Sequence, residues 1–130
     1  NFLLTVGHLG DSKKRIKLFN LVKSNGGNLP VIISPTSYVS IHSEIGEGTI
    51  IMHHVLVNAN AVIQKNCIIN SKSIIEHDAV IGNHCHISTA SVVNGGVKIR
   101  DNVFFGSGAV SKQGIEIPEN SFIRANSIVK

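Results

Sequence analysis

In the stretch IINSKSIIEHDAVIGNHCHI (residues 68–87), every sixth residue is isoleucine: Ile69, Ile75, Ile81 and Ile87. The same spacing runs without insertion from Ile33 to Val129, and every position of this inward row except Ser111 holds a large apolar residue. A second row of small or β-branched residues follows, each four residues after a member of the first. A fixed period of six is typical of a β-solenoid built from hexapeptides, whereas an amphipathic helix repeats about every 3.6 residues. The sequence therefore predicts an all-β solenoid.

The outward residues of this solenoid can be sorted into three faces. Three hexapeptides complete one coil in known solenoids of this kind, so residues eighteen apart are expected to stack about 4.8 Å apart. Face one then reads Tyr38, Leu56, Ile74, Val92, Val110, Ile128; face two reads Glu44, Val62, Val80, Lys98, Glu116; face three reads Ile50, Ile68, His86, Phe104, Phe122. Soluble proteins rarely expose apolar stripes such as faces one and three. We expect a cyclic homotrimer in which face one packs on face three of the next copy; the alternative is burial against a preceding domain.

Several corners carry glycine or asparagine directly after the inward row. A corner often needs a positive φ, which glycine adopts freely and asparagine tolerates. We therefore predict a positive φ at these positions, namely Gly46, Gly82, Gly106, Asn58, Asn70 and Asn94.

Residues 1–30 do not follow the six-residue spacing. Phe2–Val6 is predicted to be a strand, and Asp11 or Ser12 can cap a basic amphipathic helix. One βα unit is too short to bury a core of its own, and the chain begins without methionine. We expect this segment to be the C-terminal βα part of a truncated α/β domain that precedes a solenoid domain over residues 31–130.

Composition narrows the function classes. The chain has 130 residues, no Trp and a formal net charge of +4, with Lys and Arg scattered along it. Nucleic acid is therefore not an expected partner, whereas an anionic cofactor fits this charge. No apolar stretch is long enough for a membrane span, and no signal peptide is visible. The expected location is the cytoplasm. Cys67 and Cys85 lie on the row of small residues and are predicted to be reduced core thiols.

His77 differs from the other histidines in its neighbours. It stands at a predicted corner between Glu76 and Asp78, beside apolar face one. One coil above it lies Gly95, within Gly95-Gly96, the only double glycine of the predicted solenoid. A neutral histidine oriented by a carboxylate is a good general base near pH 7, and a bare corner leaves room and a backbone N–H above the ring. The pattern alone leaves two interpretations open: a general base and a solvated surface histidine.

His86 projects from face three at nearly the height of His77. In the expected trimer it would come from the neighbouring copy and face the groove that contains His77. Its apolar neighbours on face three, Ile68 and Phe104, make a packing role the alternative.

Two motifs add to the hexapeptide rows: Ile75-Glu76-His77-Asp78-Ala79-Val80-Ile81-Gly82 and Asn94-Gly95-Gly96-Val97-Lys98-Ile99. Together they resemble the bacterial nucleotide-sugar acetyltransferases, which include enzymes of the bacillosamine and perosamine pathways and the sialic-acid O-acetyltransferases. The resemblance implies a left-handed parallel β-helix, which is an exception to the usual right-handed crossover. It also implies a homotrimer with active sites between protomers, and residues 1–30 as the end of a nucleotide-sugar-binding domain.

The same resemblance implies the activity and the roles of residues. The expected reaction is transfer of an acetyl group from acetyl-CoA to the amino group of a nucleotide-linked sugar in glycan biosynthesis. His77 matches the catalytic base and Asp78 the acid that follows it. His86 matches a second active-site histidine, and Gly95 matches the glycine whose N–H receives the thioester oxygen.

Acetyl-CoA is expected in the groove between protomers. Its thioester would lie near Gly95 and Gly96, and its phosphates toward the C-terminal coils. These coils carry Lys98, Arg100, Lys112 and Arg124, which are predicted to cluster there; ordinary solvated charges are the alternative.

Three other functions compete with this prediction. A sugar O-acetyltransferase, for example on sialic acid, would use the same groups. A γ-type carbonic anhydrase shares the solenoid but needs a three-histidine zinc site whose last two histidines are five residues apart, and no two histidines have this spacing. No metal site is therefore predicted. The third alternative is a non-catalytic solenoid that serves as a binding or scaffold module.

Overall fold

The computed structural model describes residues 1–130, and from residue 32 onward the chain is a parallel β-solenoid. One helix, α1 (Lys13–Ser24), precedes it. The strands have two residues each and are β1 Ile32–Ile33, β2 Tyr38–Val39, β3 Glu44–Ile45, β4 Ile50–Ile51, β5 Leu56–Val57, β6 Val62–Ile63, β7 Ile68–Ile69, β8 Ile74–Ile75, β9 Val80–Ile81, β10 His86–Ile87, β11 Val92–Val93, β12 Lys98–Ile99, β13 Phe104–Phe105, β14 Val110–Ser111, β15 Glu116–Ile117, β16 Phe122–Ile123 and β17 Ile128–Val129.

Every third strand pairs in parallel, which gives three sheets around a common core. Sheet one is β2-β5-β8-β11-β14-β17, sheet two is β3-β6-β9-β12-β15, and sheet three is β1-β4-β7-β10-β13-β16. Partners are eighteen residues apart, as in Ile74 opposite Val92. Faces one, two and three are therefore the outer surfaces of sheets one, two and three, as the sequence predicts.

The core consists of the two inward rows. The inward-row residues from Ile51 to Ile117 are almost completely buried, and small residues such as Ala61 and Ala79 fill the space between them. Stacking like residues in register removes each side chain from water, which is worth about 1.5–3 kcal/mol for a large aliphatic residue. Cys67 and Cys85 are free and buried in this core, as predicted.

The corners correct one prediction. The positive φ values lie at the third corner residue, for example Asn60, Asp78 and Gly96, and Gly46 and the other first-position residues lack them. Glycine occupies the first position for a different reason, because the next coil passes very close. A β-carbon on Gly46 would lie 2.6 Å from the backbone carbonyl carbon of Gln64.

The prediction of a strand over Phe2–Val6 is wrong. Residues 1–12 contain no strand and lie along face three, where the His8 ring meets the His86 ring edge-on at 5.4 Å and Gly10 meets the Phe122 ring. The outer surface of sheet three offers side chains, because its backbone hydrogen bonds already run between coils. A segment that crosses this face packs without joining a β-ladder.

Arg15 fastens the N-terminal segment to the solenoid. Its side chain is almost completely buried, and its guanidinium donates to four backbone carbonyls. Two belong to the segment (Leu4 and Val6, both 2.9 Å) and two to solenoid corners (Gly48 at 3.2 Å and Asn66 at 3.3 Å). A buried cation is tolerated only when its donors are satisfied, so Arg15 requires both partners to be in place.

The two apolar faces differ in what covers them. On face three, His86 and Phe104 are buried, in part beneath residues 1–12. This face is therefore covered by the segment that precedes the solenoid. On face one, Tyr38 and Ile128 are 61% and 72% exposed, and the chain itself leaves that face open. No helix in the chain has the length and apolar character needed to cross a membrane.

Candidate active site

His77 lies at the corner between β8 and β9. Residues eighteen apart stack above and below it, which forms the histidine corner column (residues 40–42, 58–60, 76–78, 94–96 and 112–114). The ring projects from the solenoid, and about half of the His77 side chain is exposed. Its backbone is held by the coil above, since the His77 carbonyl accepts from the Gly96 N–H at 2.9 Å.

Asp78 holds the His77 ring in place. The distance between His77 Nδ1 and Asp78 Oδ2 is 2.8 Å, so Nδ1–H donates to the carboxylate and Nε2 is left as the free acceptor. This hydrogen bond is the main cause that raises the pKa of His77 above its ordinary value, and it lowers the pKa of Asp78. Asp78 adopts a φ of 58°, a left-handed conformation that aspartate tolerates better than most residues.

Two asparagines of the coil below support the carboxylates, and neither role was predicted from the sequence. Asn60 Nδ2 donates to Asp78 Oδ1 at 3.2 Å, and Asn58 Nδ2 donates to Glu76 Oε2 at 2.9 Å. The same Glu76 oxygen also accepts the His77 backbone N–H at 3.3 Å. Asp78, and not Glu76, therefore orients the imidazole. The signal was the spacing of eighteen, which places each asparagine under its carboxylate.

Gly95 covers the imidazole. A β-carbon on Gly95 would lie 2.7 Å from His77 Nε2, which is closer than any carbon could stand without displacing the ring. The Gly95 carbonyl accepts from the Gly114 N–H at 3.0 Å, but the Gly95 N–H donates to no acceptor within the chain. The corner thus combines a free ring nitrogen and an unpaired backbone donor on adjacent coils.

His86 does not meet His77 within one chain. It lies on sheet three, 7% exposed, with Nδ1 2.8 Å from the His8 carbonyl and Nε2 3.3 Å from Asn70 Nδ2. Burial is the main cause that lowers the pKa of His86. Its expected contribution to the groove of a neighbouring copy stays a prediction.

The four cations expected to bind phosphates do not form a cluster in the chain. Lys112 belongs to the histidine corner column, and Lys98 lies exposed on the adjacent face two. Arg100 is on a different corner, where its Nε donates to Glu116 Oε1 at 2.6 Å, and Arg124 is on the third. Within the chain, no three His, Cys, Asp or Glu side chains lie close enough together to hold a metal ion.

Several solved structures have the same fold, with sequence identities between 25% and 33%. PerB from Caulobacter crescentus, in complex with CoA and GDP-perosamine, is 33% identical with a TM-score of 0.90, over 93% of this chain and 58% of that one. The acetyltransferase domain of PglB from Neisseria gonorrhoeae is 25% identical with a TM-score of 0.89, over 93% and 59%. WeeI from Acinetobacter baumannii is 25% identical with a TM-score of 0.78, over the same shares of the two chains.

This chain therefore spans less than two thirds of the length of the structures it matches. No protein-family model matches the sequence. No curated protein matches it significantly. The structural matches confirm the left-handed parallel β-helix predicted from the sequence, and with it the chain's resemblance to the bacterial nucleotide-sugar acetyltransferases.

Proposed function

We propose that the chain is the acetyl-transferring part of an acetyl-CoA-dependent acyltransferase that acetylates an amino group of a nucleotide-linked sugar. The observation that carries this proposal is the His77 corner, where Asp78 holds Nδ1 at 2.8 Å and Gly95, whose N–H is unpaired, packs against the ring at Nε2. The similar PerB structure was solved with CoA and GDP-perosamine, and the PglB domain has also been solved with acetyl coenzyme A.

The reaction follows from these groups. His77 Nε2 takes a proton from the acceptor nitrogen as that atom attacks the acetyl carbonyl, and Asp78 stabilises the imidazolium that forms. The Gly95 N–H donates to the oxyanion that develops on the carbonyl oxygen. The thiolate of CoA then leaves without an acid, since its conjugate thiol is itself weakly acidic. No covalent enzyme intermediate is needed, because Cys67 and Cys85 are buried in the core.

Acetyl-CoA would approach along the upper part of the histidine corner column. Gly95, Gly96 and Gly114 leave the backbone bare there, and a β-carbon on Gly114 would meet nothing within 4 Å. Lys112, in the same column, and Lys98, on face two, would attract the phosphates. Arg100 is engaged with Glu116 and is a weaker candidate.

Replacing His77 tests the proposed base. A general base contributes about 10²–10⁴-fold, so His77→Ala should lower kcat by that factor and leave the affinity for acetyl-CoA nearly unchanged. His53→Ala, an exposed corner histidine on a different column, is the matched control and should keep full activity. Turnover should be measured with a panel of UDP- and GDP-linked amino sugars. Near-normal turnover of His77→Ala at saturating substrates would refute the assignment.

The proposed assembly is a homotrimer that buries face one. Because residues 1–12 lie on face three, face one of one copy would meet the outer side of the neighbour's segment, where Leu3 and Leu9 are 52% and 82% exposed. His86 of the neighbouring copy would then reach the groove only at the edge of that segment.

Sedimentation velocity tests the trimer. Ile74 lies half-buried in the middle of face one, so Ile74→Asp should dissociate the assembly by burying an unpaired charge. Val62→Asp places the same charge on face two and should leave it intact. Phe104, also apolar and outward, is already buried within one chain, and its replacement would test folding instead. A stable wild-type monomer at micromolar concentration contradicts the proposal.

We also propose that residues 1–30 are the end of a domain that binds the sugar nucleotide. The support is the share of about 58% that the chain covers of PerB, which was solved with GDP-perosamine. Sugar-nucleotide affinity of a form carrying the preceding residues, compared with that of residues 1–130, checks this; equal affinities would count against it.

A further inference from the structure

Ser111 interrupts the inward row of the solenoid at the coil above the candidate site. Its neighbours in the same stack, Val93 below and Val129 above, are valines, yet Ser111 is buried like Val93, at 1% exposure. The register is also interrupted there: β11 and β14 pair only through Val92 and Val110, whereas the neighbouring strands pair through both residues. A polar residue at a buried apolar position calls for a reason.

The reason lies in the hydrogen bonds of Asn94. At every other corner with a coil above it, the first N–H donates to the inward-row carbonyl of that coil, as Asn58 does to Ile75 and Glu76 to Val93. At Asn94 this bond is replaced. The Asn94 backbone N–H donates to Ser111 Oγ at 2.9 Å, and Asn94 Nδ2 donates to the Ser111 carbonyl at 2.6 Å.

This exchange determines the state of the next backbone N–H. Asn58 and Asn70 occupy the same corner position in other coils, and each uses its Oδ1 to accept the N–H of the following residue at 2.8 Å. The equivalent partner of Asn94 would be the Gly95 N–H. The Asn94 side chain instead turns to Ser111, and the Gly95 N–H, in the coil above His77, is unpaired.

We propose that Ser111 is a positioning residue that acts through Asn94 to keep the Gly95 N–H free for the substrate carbonyl oxygen. The inference rests on the proposed acetyl transfer, in which Gly95 is the oxyanion donor. Ser111 itself does not touch the substrate. Ser111 binds the Asn94 side chain, which would otherwise accept a hydrogen bond from the Gly95 N–H.

Ser111→Val tests this directly, because valine restores the residue type of the row. With Oγ removed, the Asn94 N–H should turn to the carbonyl at position 111 as at the other corners, and Asn94 Oδ1 should then accept the Gly95 N–H. Loss of one oxyanion donor costs about 10²–10³-fold in kcat, and this is the loss we expect, with no drop in thermal midpoint. Ile117→Val, also in the inward row but in sheet two, is the matched control and should keep full activity.

A second substitution separates this mechanism from simple damage to the site. In the double variant Ser111→Val/Asn94→Ala no side chain remains to capture the Gly95 N–H, so most of the lost activity should return. Other residue types occupy this corner position in other coils, among them Ser40, Glu76 and Lys112, so alanine should be accommodated.

Amide hydrogen exchange at Gly95, followed by NMR, gives a readout that does not need activity. Exchange should slow in Ser111→Val and return to the wild-type rate in the double variant. Unchanged Gly95 exchange in Ser111→Val, slowed exchange with full turnover, or no recovery in the double variant would each overturn the proposal. If the wild-type protein transfers no acetyl group, the proposed function fails, while the exchange rates still decide the role of Ser111.

Discussion

Gly95 lies directly over the imidazole of His77, so close that a β-carbon would stand 2.7 Å from Nε2 and 2.8 Å from Cε1. The two residues are eighteen apart and belong to consecutive coils, whose spacing is fixed by the parallel ladder. The absence of a side chain at position 95 is therefore a condition for the ring position at 77. A side chain at position 95 should therefore lower both the stability of the protein and its activity.

Gly95→Ala should displace the His77 ring and lower kcat by at least about 10²-fold, comparable to loss of the base. It should also lower the thermal midpoint, because inserting a methyl group against packed atoms is destabilising. In the double variant His77→Ala/Gly95→Ala the ring is gone, so the stability loss should largely disappear. Thermal unfolding and steady-state kinetics of the three variants check this, and an active Gly95→Ala enzyme would contradict it.

The pH dependence of kcat/KM should report the His77–Asp78 pair. A general base works when it is unprotonated, so activity should rise with pH through the pKa of His77. Because the Asp78 hydrogen bond raises this pKa, the acidic limb should have its midpoint above 6.5. Asp78→Asn should move the midpoint down toward 6.5. Glu76→Gln should move it less, because Glu76 acts on the ring only through its charge; equal shifts would argue against Asp78 as the partner.

Asn60 should act on the site through Asp78. Both residues have a φ near 58°, so Asn60→Gly removes the amide donor without straining the backbone. The pKa of Asp78 should rise, since this donor helps to lower it, and kcat should fall by less than about tenfold, as expected for one exposed hydrogen bond. Asn120→Gly, at the same corner position with an exposed side chain, is the control. NMR titration of Asp78 and kinetics would show no difference between the two variants if Asn60 had no role.

Acid should release the N-terminal segment. Burial, aided by the nearby His86 and Arg15, lowers the pKa of His8 to about 4, from 6.5 when unfolded, and the His84 backbone and Asp11 oppose this shift. Between pH 4 and pH 6.5, His8 therefore takes up a proton only when the segment is released from the solenoid. Its attachment is therefore strongest above pH 6.5 and weakens as the pH falls toward 4.

Hydrogen exchange of residues 1–12 measures this release between pH 7 and 5. His8→Phe keeps an aromatic ring against His86 and removes one proton site, so the pH dependence should become weaker. His86 should retain the rest, because burial beside the segment lowers its pKa too. Attachment that stays constant over this range in the wild-type protein would show that the prediction is wrong.

The fold could be predicted because one period governs it. A parallel in-register ladder makes residues eighteen apart neighbours, so the stacking of His77 under Gly95 and of Ile74 beside Val92 follows from counting. The support of Asp78 by Asn60 was available from the same count. Ser111 was visible as the only polar residue of the inward row, but its partner Asn94 was not, because the bond replaces a regular backbone contact.

The N-terminal thirty residues obey no such period. The helix predicted there is confirmed as α1, but the packing of the segment was not predicted. Arg15 belongs to a basic helix and would ordinarily be solvated, yet it is buried because four carbonyls from distant segments converge on it. The local pattern of Phe2–Val6 favours a strand, but sheet three has no free backbone edge alongside that segment. Glycine at a corner indicates either a positive φ or a close approach of backbones, and the sequence does not distinguish the two.

Because the strands pair eighteen residues apart, the position of each residue around the prism depends on how many residues precede it in the solenoid. Every group of the site, from Asn60 through His77 and Gly95 to Ser111, belongs to successive coils on one side of the prism. A deletion of six residues within these coils would rotate all later residues by one third of a revolution about the solenoid axis. The groups of the site before and after the deletion would then lie on different edges of the prism. A deletion of one whole coil of eighteen residues outside the site would keep this register and only shorten the prism. Length changes in this chain are therefore tolerable in whole coils, and the site itself determines where they can occur.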